Sequence, residues 1–144
     1  MTSLNHGGFG MKRNLILVVT SGVSILLMTF HLAQDTVHAK VGNPEAGGST
    51  LVVVPVLVIW LYGTLLLAER RSGYTIMLIG SLMALGMPII HVKAAAGFFQ
   101  GQIANRPDAF WFVWTLHALG VLGMFSLILS AQGLWSWRRD HPRS

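Results

Sequence analysis

Four apolar stretches, each about as long as a bilayer is thick, constrain this sequence more than any other feature. A membrane-spanning helix needs roughly 20 mostly apolar residues. Residues 14–34, 50–68, 74–92 and 109–134 each meet that requirement and together take up most of the 144 residues. Only 10% of the chain is charged, whereas a soluble domain is about 25% charged. We therefore predict an all-α integral membrane protein, an antiparallel four-helix transmembrane bundle over residues 14–134.

The distribution of basic residues predicts how this bundle is oriented. If the N-terminus is cytoplasmic, seven basic residues lie inside the cell and three lie outside. The inner set is Lys12, Arg13, Arg70, Arg71, Arg138, Arg139 and Arg143, and the outer set is Lys40, Lys93 and Arg106. This asymmetry follows the positive-inside rule, so residues 1–13 are predicted as a disordered cytoplasmic tail and 135–144 as a basic cytoplasmic tail. The net charge of +5 then reflects topology, and no nucleic-acid partner is predicted.

The start of the chain allows two further interpretations. The segment MKRNLILVV is similar to the beginning of a signal peptide, and Val37-His38-Ala39 is a passable cleavage site. However, the apolar run is long for a signal core, and a polar, acid-containing stretch separates it from the cleavage site. The sequence therefore favours an uncleaved first helix, with Met11 as an alternative start.

Histidines in the outer halves of three predicted helices form the candidate site. His31 lies in the first helix, His91 at the end of the third and His117 in the fourth. In the first helix, Ser24, His31 and Asp35 follow helical spacing, and such a polar stripe turns towards protein rather than lipid. Asp35 is predicted to orient an imidazole by hydrogen bonding.

Two interpretations of these histidines remain open. Neutral imidazoles on different helices can ligate haem iron or a transition metal, bind a quinone headgroup or transfer protons. Alternatively, they are interfacial or core residues, with His117 hydrogen-bonded to Thr20, Ser24 or a carbonyl freed by Pro88. We favour the second interpretation, and we extend it to His38. No cofactor is required by the pattern.

Catalytic and thiolate chemistry find little support in the sequence. The absence of cysteine excludes disulfides and thiolate ligands. The chain has no HExxH motif, no Gly-rich nucleotide loop and no pair of intramembrane carboxylates. Four small residues are predicted as helix contacts, inside the chain or against a partner. They are Gly80, Ala84, Gly120 and Gly123.

Several strings resemble those of a family of small four-helix bacterial inner-membrane proteins without an assigned activity. These are TFHLAQD, LYGTLLLAERRSGY, GMPIIH, FVWTLHALG and FSLILSAQGLWS. The resemblance covers nearly all of the chain from Met11 onward, but it does not include a histidine at position 117. It implies a bacterial inner membrane and supplies no ligand or catalytic residue.

Three functions follow as predictions, in order of preference. The first is a non-catalytic accessory or assembly subunit of a bacterial membrane complex, in contact with lipid and with a membrane-protein partner or a second copy of itself. The second is a haem-, metal- or quinone-binding protein that uses His31 and His91, with His117 as a third ligand. The third is small-molecule transport by an oligomer.

Overall fold

The described part of the chain is all-helical, which confirms the predicted fold class at that level. The four helices are α1 (His6–Gly42), α2 (Gly48–Leu66), α3 (Arg71–Ala94) and α4 (Ala109–Asp140). The computed structural model describes residues 6–42, 48–94 and 109–140, with side chains at 11–34, 36, 37, 52–91 and 109–139. The predicted outer loops and the basic residues Lys40, Lys93, Arg106 and Arg143 lie outside the described residues or side chains.

The helices extend beyond the apolar runs that predicted them. Residues 6–13, predicted as a disordered tail, belong to α1, and α4 continues past residue 134 to Asp140. An apolar run reflects the thickness of the hydrocarbon layer, whereas a helix continues until its backbone hydrogen bonding is interrupted. For α1 the interruption comes at Gly42, which precedes Asn-Pro, a typical stop signal.

Three of the four helices are long and apolar enough to cross a membrane. These spans are Met11–Gln34, Arg71–His91 and Ala109–Arg139. In α2 the described apolar segment is shorter and covers Val52–Leu66. Pro55 lies in the second turn of α2, and Pro88 lies near the end of α3.

Helices α1 and α3 form the centre of the structure. Each packs against the other and against both α2 and α4, while α2 and α4 hardly touch in the described part of the chain. All four helices contribute apolar side chains to the core, which includes Leu17, Leu57, Met77 and Leu119. The packing of α3 on α4 is the most extensive, and Gly123 permits it: a Cβ there would lie 2.8 Å from the backbone nitrogen of Leu85.

A buried hydrogen-bond network holds α2 against the middle of α1. The indole nitrogen of Trp60 donates to the hydroxyl oxygen of Ser21 over 2.8 Å. That oxygen is also 2.8 Å from the hydroxyl oxygen of Thr64. All three side chains are buried, and Thr64 donates to the carbonyl of Trp60 as well. Because buried polar groups are costly without partners, this network fixes the rotation of α2.

Polar contacts between helices occur in two further layers, one near each end of the helices. In the first layer, Tyr74 donates to the side-chain oxygen of Asn14 over 2.7 Å, and Arg13 donates to Ser136 over 3.0 Å. The second layer contains His31 and His91. The two layers are separated by 17 residues on each helix, from Asn14 to His31 on α1 and from Tyr74 to His91 on α3. This separation corresponds to about 26 Å of helix.

Candidate functional site

Two of the three candidate histidines meet in the layer farther from Arg13. The rings of His31 and His91 lie edge to face, with centroids 4.9 Å apart and an interplanar angle of 79°. His31 is fully buried, and His91 is half-buried. Phe112 of α4 adds a third ring, 4.6 Å from the centroid of His31 and 5.6 Å from that of His91. Three helices therefore contribute one ring each.

A close contact between α3 and α4 lies next to this cluster. Pro88, one turn before His91, packs on Gly120: a Cβ at Gly120 would lie 2.9 Å from the Cγ of Pro88. One helical turn further along α4, Gly123 meets Ala84 and Leu85. The small residues let α4 approach α3 closely, so that Phe112 reaches the histidine pair.

The Nδ1 atom of each ring in the pair lies within hydrogen-bonding distance of an oxygen atom. The Nδ1–H of His91 donates to the carbonyl of Met87 over 2.9 Å. The Nδ1 of His31 lies 3.4 Å from the hydroxyl oxygen of Thr115, and that hydroxyl donates to the carbonyl of Phe112. The oxygen of Thr115 therefore accepts from Nδ1–H of His31.

His117 is not part of the pair. It lies exposed on the outward face of α4, and its Nδ1–H donates to the carbonyl of Val113 over 2.8 Å. The residues beside it form a shallow groove lined by Ala109, Phe110, Val113 and Trp114. The suggested partners of His117 bond elsewhere, since Thr20 donates to Ile16 and Ser24 to Thr20.

The remaining candidate residues divide between those the structure describes and those it does not. Asp35 and His38 belong to α1 by backbone, but their side chains lie outside the described residues. The small residues lie between helices of this chain: a Cβ at Gly80 would meet the Trp60 ring, and Ala84 is fully buried. Helix contacts at Gly80 and Gly120 are therefore internal in this structure.

Phe112 and Thr115 escaped the sequence analysis although their spacing carried a signal. Phe112 lies in an aromatic cluster, AFWFVW, whose composition is typical of a membrane interface. However, it shares a helical face with Leu116, Leu119 and Gly123, and all four are buried. The neighbouring Phe110, off this face, is exposed.

The ring spacing distinguishes between kinds of ligand. In a haem held by two histidines, the rings lie on opposite sides of the iron, and metal–nitrogen bonds of about 2 Å would put the centroids roughly 6 Å apart. The porphyrin would also have to pass between the rings. The observed 4.9 Å, with Phe112 in contact with both rings, leaves no space for it. A haem between His31 and His91 does not fit this packing.

Comparison with known proteins supplies no independent guide to this site. No family model matches the chain, and neither a curated protein nor a solved structure matches it.

Proposed function

We propose that this chain is an integral protein of the bacterial inner membrane that serves as an accessory or assembly subunit of a membrane complex. It docks on a partner through the outward face of α4. The observation that carries the docking proposal is the exposed imidazole of His117, which lies in a stripe of otherwise apolar side chains.

Insertion in a membrane is supported by the surfaces of the helices. Large apolar side chains stand exposed on every helix, such as Leu26, Val58, Ile90 and Val121, each at least 60% accessible. Soluble monomers rarely expose continuous apolar surfaces of this kind. The two polar layers at the helix ends, about 26 Å apart, also match a hydrocarbon core about 30 Å thick. We assign α2 as a fourth span because its network with Ser21 places it beside α1, between these layers.

Contacts at both ends support the up-and-down arrangement. Near the start of α1, Arg13 contacts Ser136 of α4, and further along α1 His31 contacts Thr115. From the N-terminal to the C-terminal end of α1, its contacts therefore move towards the N-terminal end of α4. The contacts of α1 with α3 move in the other direction, from Tyr74 near the start of α3 to His91 near its end. This order is the one expected for an antiparallel bundle with α1 and α3 in the same direction.

The basic end is assigned to the cytoplasm. At this end Arg139 lies over the ring of Trp135 at 4.0 Å, and Arg71 over that of Trp137 at 5.7 Å. Arginine and tryptophan are typical of the membrane interface, and basic residues favour the cytoplasmic side. Both termini are then cytoplasmic, and the histidine pair lies near the outer surface.

The docking face is the outward stripe of α4 around His117. Its other members are Phe110, Val113, Trp114, Val121, Met124, Phe125 and Ile128, all exposed. His117 lies three residues deeper than Trp114, about 4.5 Å along the helix. With its Nδ1–H bonded to Val113, the ring presents an acceptor nitrogen to an apolar surrounding, where unpaired polar groups are costly. A partner helix with a hydrogen-bond donor would remove that cost.

Transport is the weaker alternative. Large side chains fill the middle of the bundle, including the fully buried Trp60, Met77 and Leu119. A continuous polar path through a single copy would have to displace them.

Site-specific photocrosslinking in cells tests the docking proposal. A benzophenone amino acid at Val121, one turn from His117, is expected to crosslink to a partner. The same probe at Leu65, equally exposed on α2, serves as the control. His117→Leu should abolish the Val121 product without lowering the thermal stability of the chain, because His117 contacts no neighbouring helix through a hydrogen bond that the structure describes.

Two results would contradict the proposal. Equal crosslinking from Val121 and Leu65 would show that α4 is not a preferred face, and an unchanged Val121 product in His117→Leu would show that the imidazole does not recruit the partner. A product with twice the mass of the chain would identify a second copy as the partner.

A further inference from the structure

We propose that His31 and His91, together with the thioethers of Met28 and Met87, form a binding site for a copper(I) ion. The site would lie between α1 and α3 in the layer of the histidine pair. The proposal does not depend on the docking face of α4, which uses different residues.

The two methionines share helix faces with the two histidines. Met28 precedes His31 by three residues on α1, and Met87 precedes His91 by four on α3. Side chains at these spacings are neighbours on a helix surface. Met28 is buried in the core, and Met87 packs against the same cluster. Two adjacent helices therefore each present one imidazole and one thioether.

The histidines have the geometry of adjacent ligands of one ion. Two imidazoles at neighbouring corners of a tetrahedron, each with a metal–nitrogen bond of about 2 Å, have centroids roughly 5 Å apart. The observed separation is 4.9 Å. This spacing is shorter than the one that a haem requires.

The hydrogen bonds of the pair suit metal ligation as well. Histidine ligands usually donate their second ring N–H to a carbonyl or another acceptor, which fixes the tautomer and orients the ring. Met87 supplies such a carbonyl for His91, and Thr115 supplies a hydroxyl oxygen for His31. Nε2 is then the ligating nitrogen in both rings.

The donor set selects copper(I) over other first-row ions. Thioether ligands favour copper(I), and imidazole suits copper as well as zinc. The four proposed donors, two imidazoles and two thioethers, carry no negative charge as ligands, so they offer a divalent ion nothing to offset its own charge. A monovalent ion is less costly to bury, because desolvation costs rise steeply with charge.

A competition titration on the full-length protein in detergent tests this site. Copper(I) would be added under anaerobic conditions against bicinchoninate, whose coloured complex reports the free ion. We expect one copper(I) per chain. His31→Ala and His91→Ala should abolish binding, and Met28→Leu and Met87→Leu should each weaken it at least tenfold. The leucine variants conserve side-chain volume and are therefore expected to fold.

Matched controls come from the outward face of α4. His117→Ala and Met124→Leu remove the same types of side chain from exposed positions and should leave the affinity unchanged. X-ray absorption of the loaded protein should show a sulfur neighbour at about 2.3 Å, and that signal should diminish in Met28→Leu.

Three outcomes would overturn the proposal. They are the absence of stoichiometric copper(I) binding, an equal loss of affinity in the outward controls, and a preference for zinc that does not respond to the leucine variants. None of these outcomes bears on crosslinking from Val121, so the two proposals fail independently.

Discussion

The imidazoles of His31 and His91 lie 4.9 Å apart although 60 positions separate them in the chain. His31 lies 17 residues after Asn14, and His91 lies 17 residues after Tyr74. The side chains of Asn14 and Tyr74 are hydrogen-bonded to each other. Helices α1 and α3 are therefore held in register at both ends. Because the register positions the histidine backbones, the spacing of the rings is a property of the whole helix pair rather than of two mobile side chains.

The Trp60 network predicts that alanine variants of two buried serines differ in stability. Ser21→Ala removes the acceptor of the buried indole N–H, which should lower the free energy of unfolding by about 1–3 kcal/mol. Ser126→Ala is the control, because this fully buried hydroxyl has no hydrogen bond among the described residues and its removal should be neutral or stabilising. Denaturation in mixed micelles, followed by circular dichroism, measures both variants. A larger loss in Ser126→Ala would contradict the assignment.

The surroundings of two glycines predict different stabilities for two alanine variants. A Cβ at Gly123 would lie 2.8 Å from the backbone nitrogen of Leu85, whereas nothing lies within 4 Å of one at Gly22. Gly123→Ala should force α3 and α4 apart and cost about 1–3 kcal/mol. Gly22→Ala should be neutral, or stabilise by up to about 1 kcal/mol through the better helix propensity of alanine. The same denaturation assay compares them, and similar effects at both positions would refute the described α3–α4 contact.

The packing of the three rings predicts that the histidine pair carries no haem. A reduced-minus-oxidised absorption spectrum of protein purified gently from its native membrane should lack haem bands. Haem bands that disappear in His31→Ala or His91→Ala would contradict this expectation, because they would require Phe112 to leave the position that it occupies between α1 and α3.

The orientation can be tested directly because the chain has no cysteine. A single cysteine introduced by Ser144→Cys should react with a membrane-impermeant maleimide only after the inner membrane is permeabilised. Gly101→Cys, between α3 and α4, should react in intact spheroplasts. The reverse pattern would place the basic end outside and the histidine pair on the cytoplasmic side.

Much of the fold could be predicted from the sequence because hydropathy reports length and burial directly. The apolar runs placed all four helices, and the helical spacing of Ser24 and His31 indicated that this stripe faces protein; both side chains are buried. The ends of the helices were less predictable. Hydropathy marks where an apolar run ends, whereas α1 and α4 continue as helices well beyond that point.

By itself, then, the sequence determined that this chain forms apolar helices and that His31 lies on a buried stripe. Only the tertiary structure decided that His91 joins it and that His117 does not. The sequence predicted His31 and His91 as the principal ligands with His117 as a third, and it could not separate His117 from the pair. The positions of His91 and His117 depend on the rotation of α3 and α4 about their axes, and the Pro88–Gly120 and Ala84–Gly123 contacts set that rotation. Those contacts turn His91 inward, and they bury the face of α4 that carries Leu116, Leu119 and Gly123, which leaves His117 on the outer side.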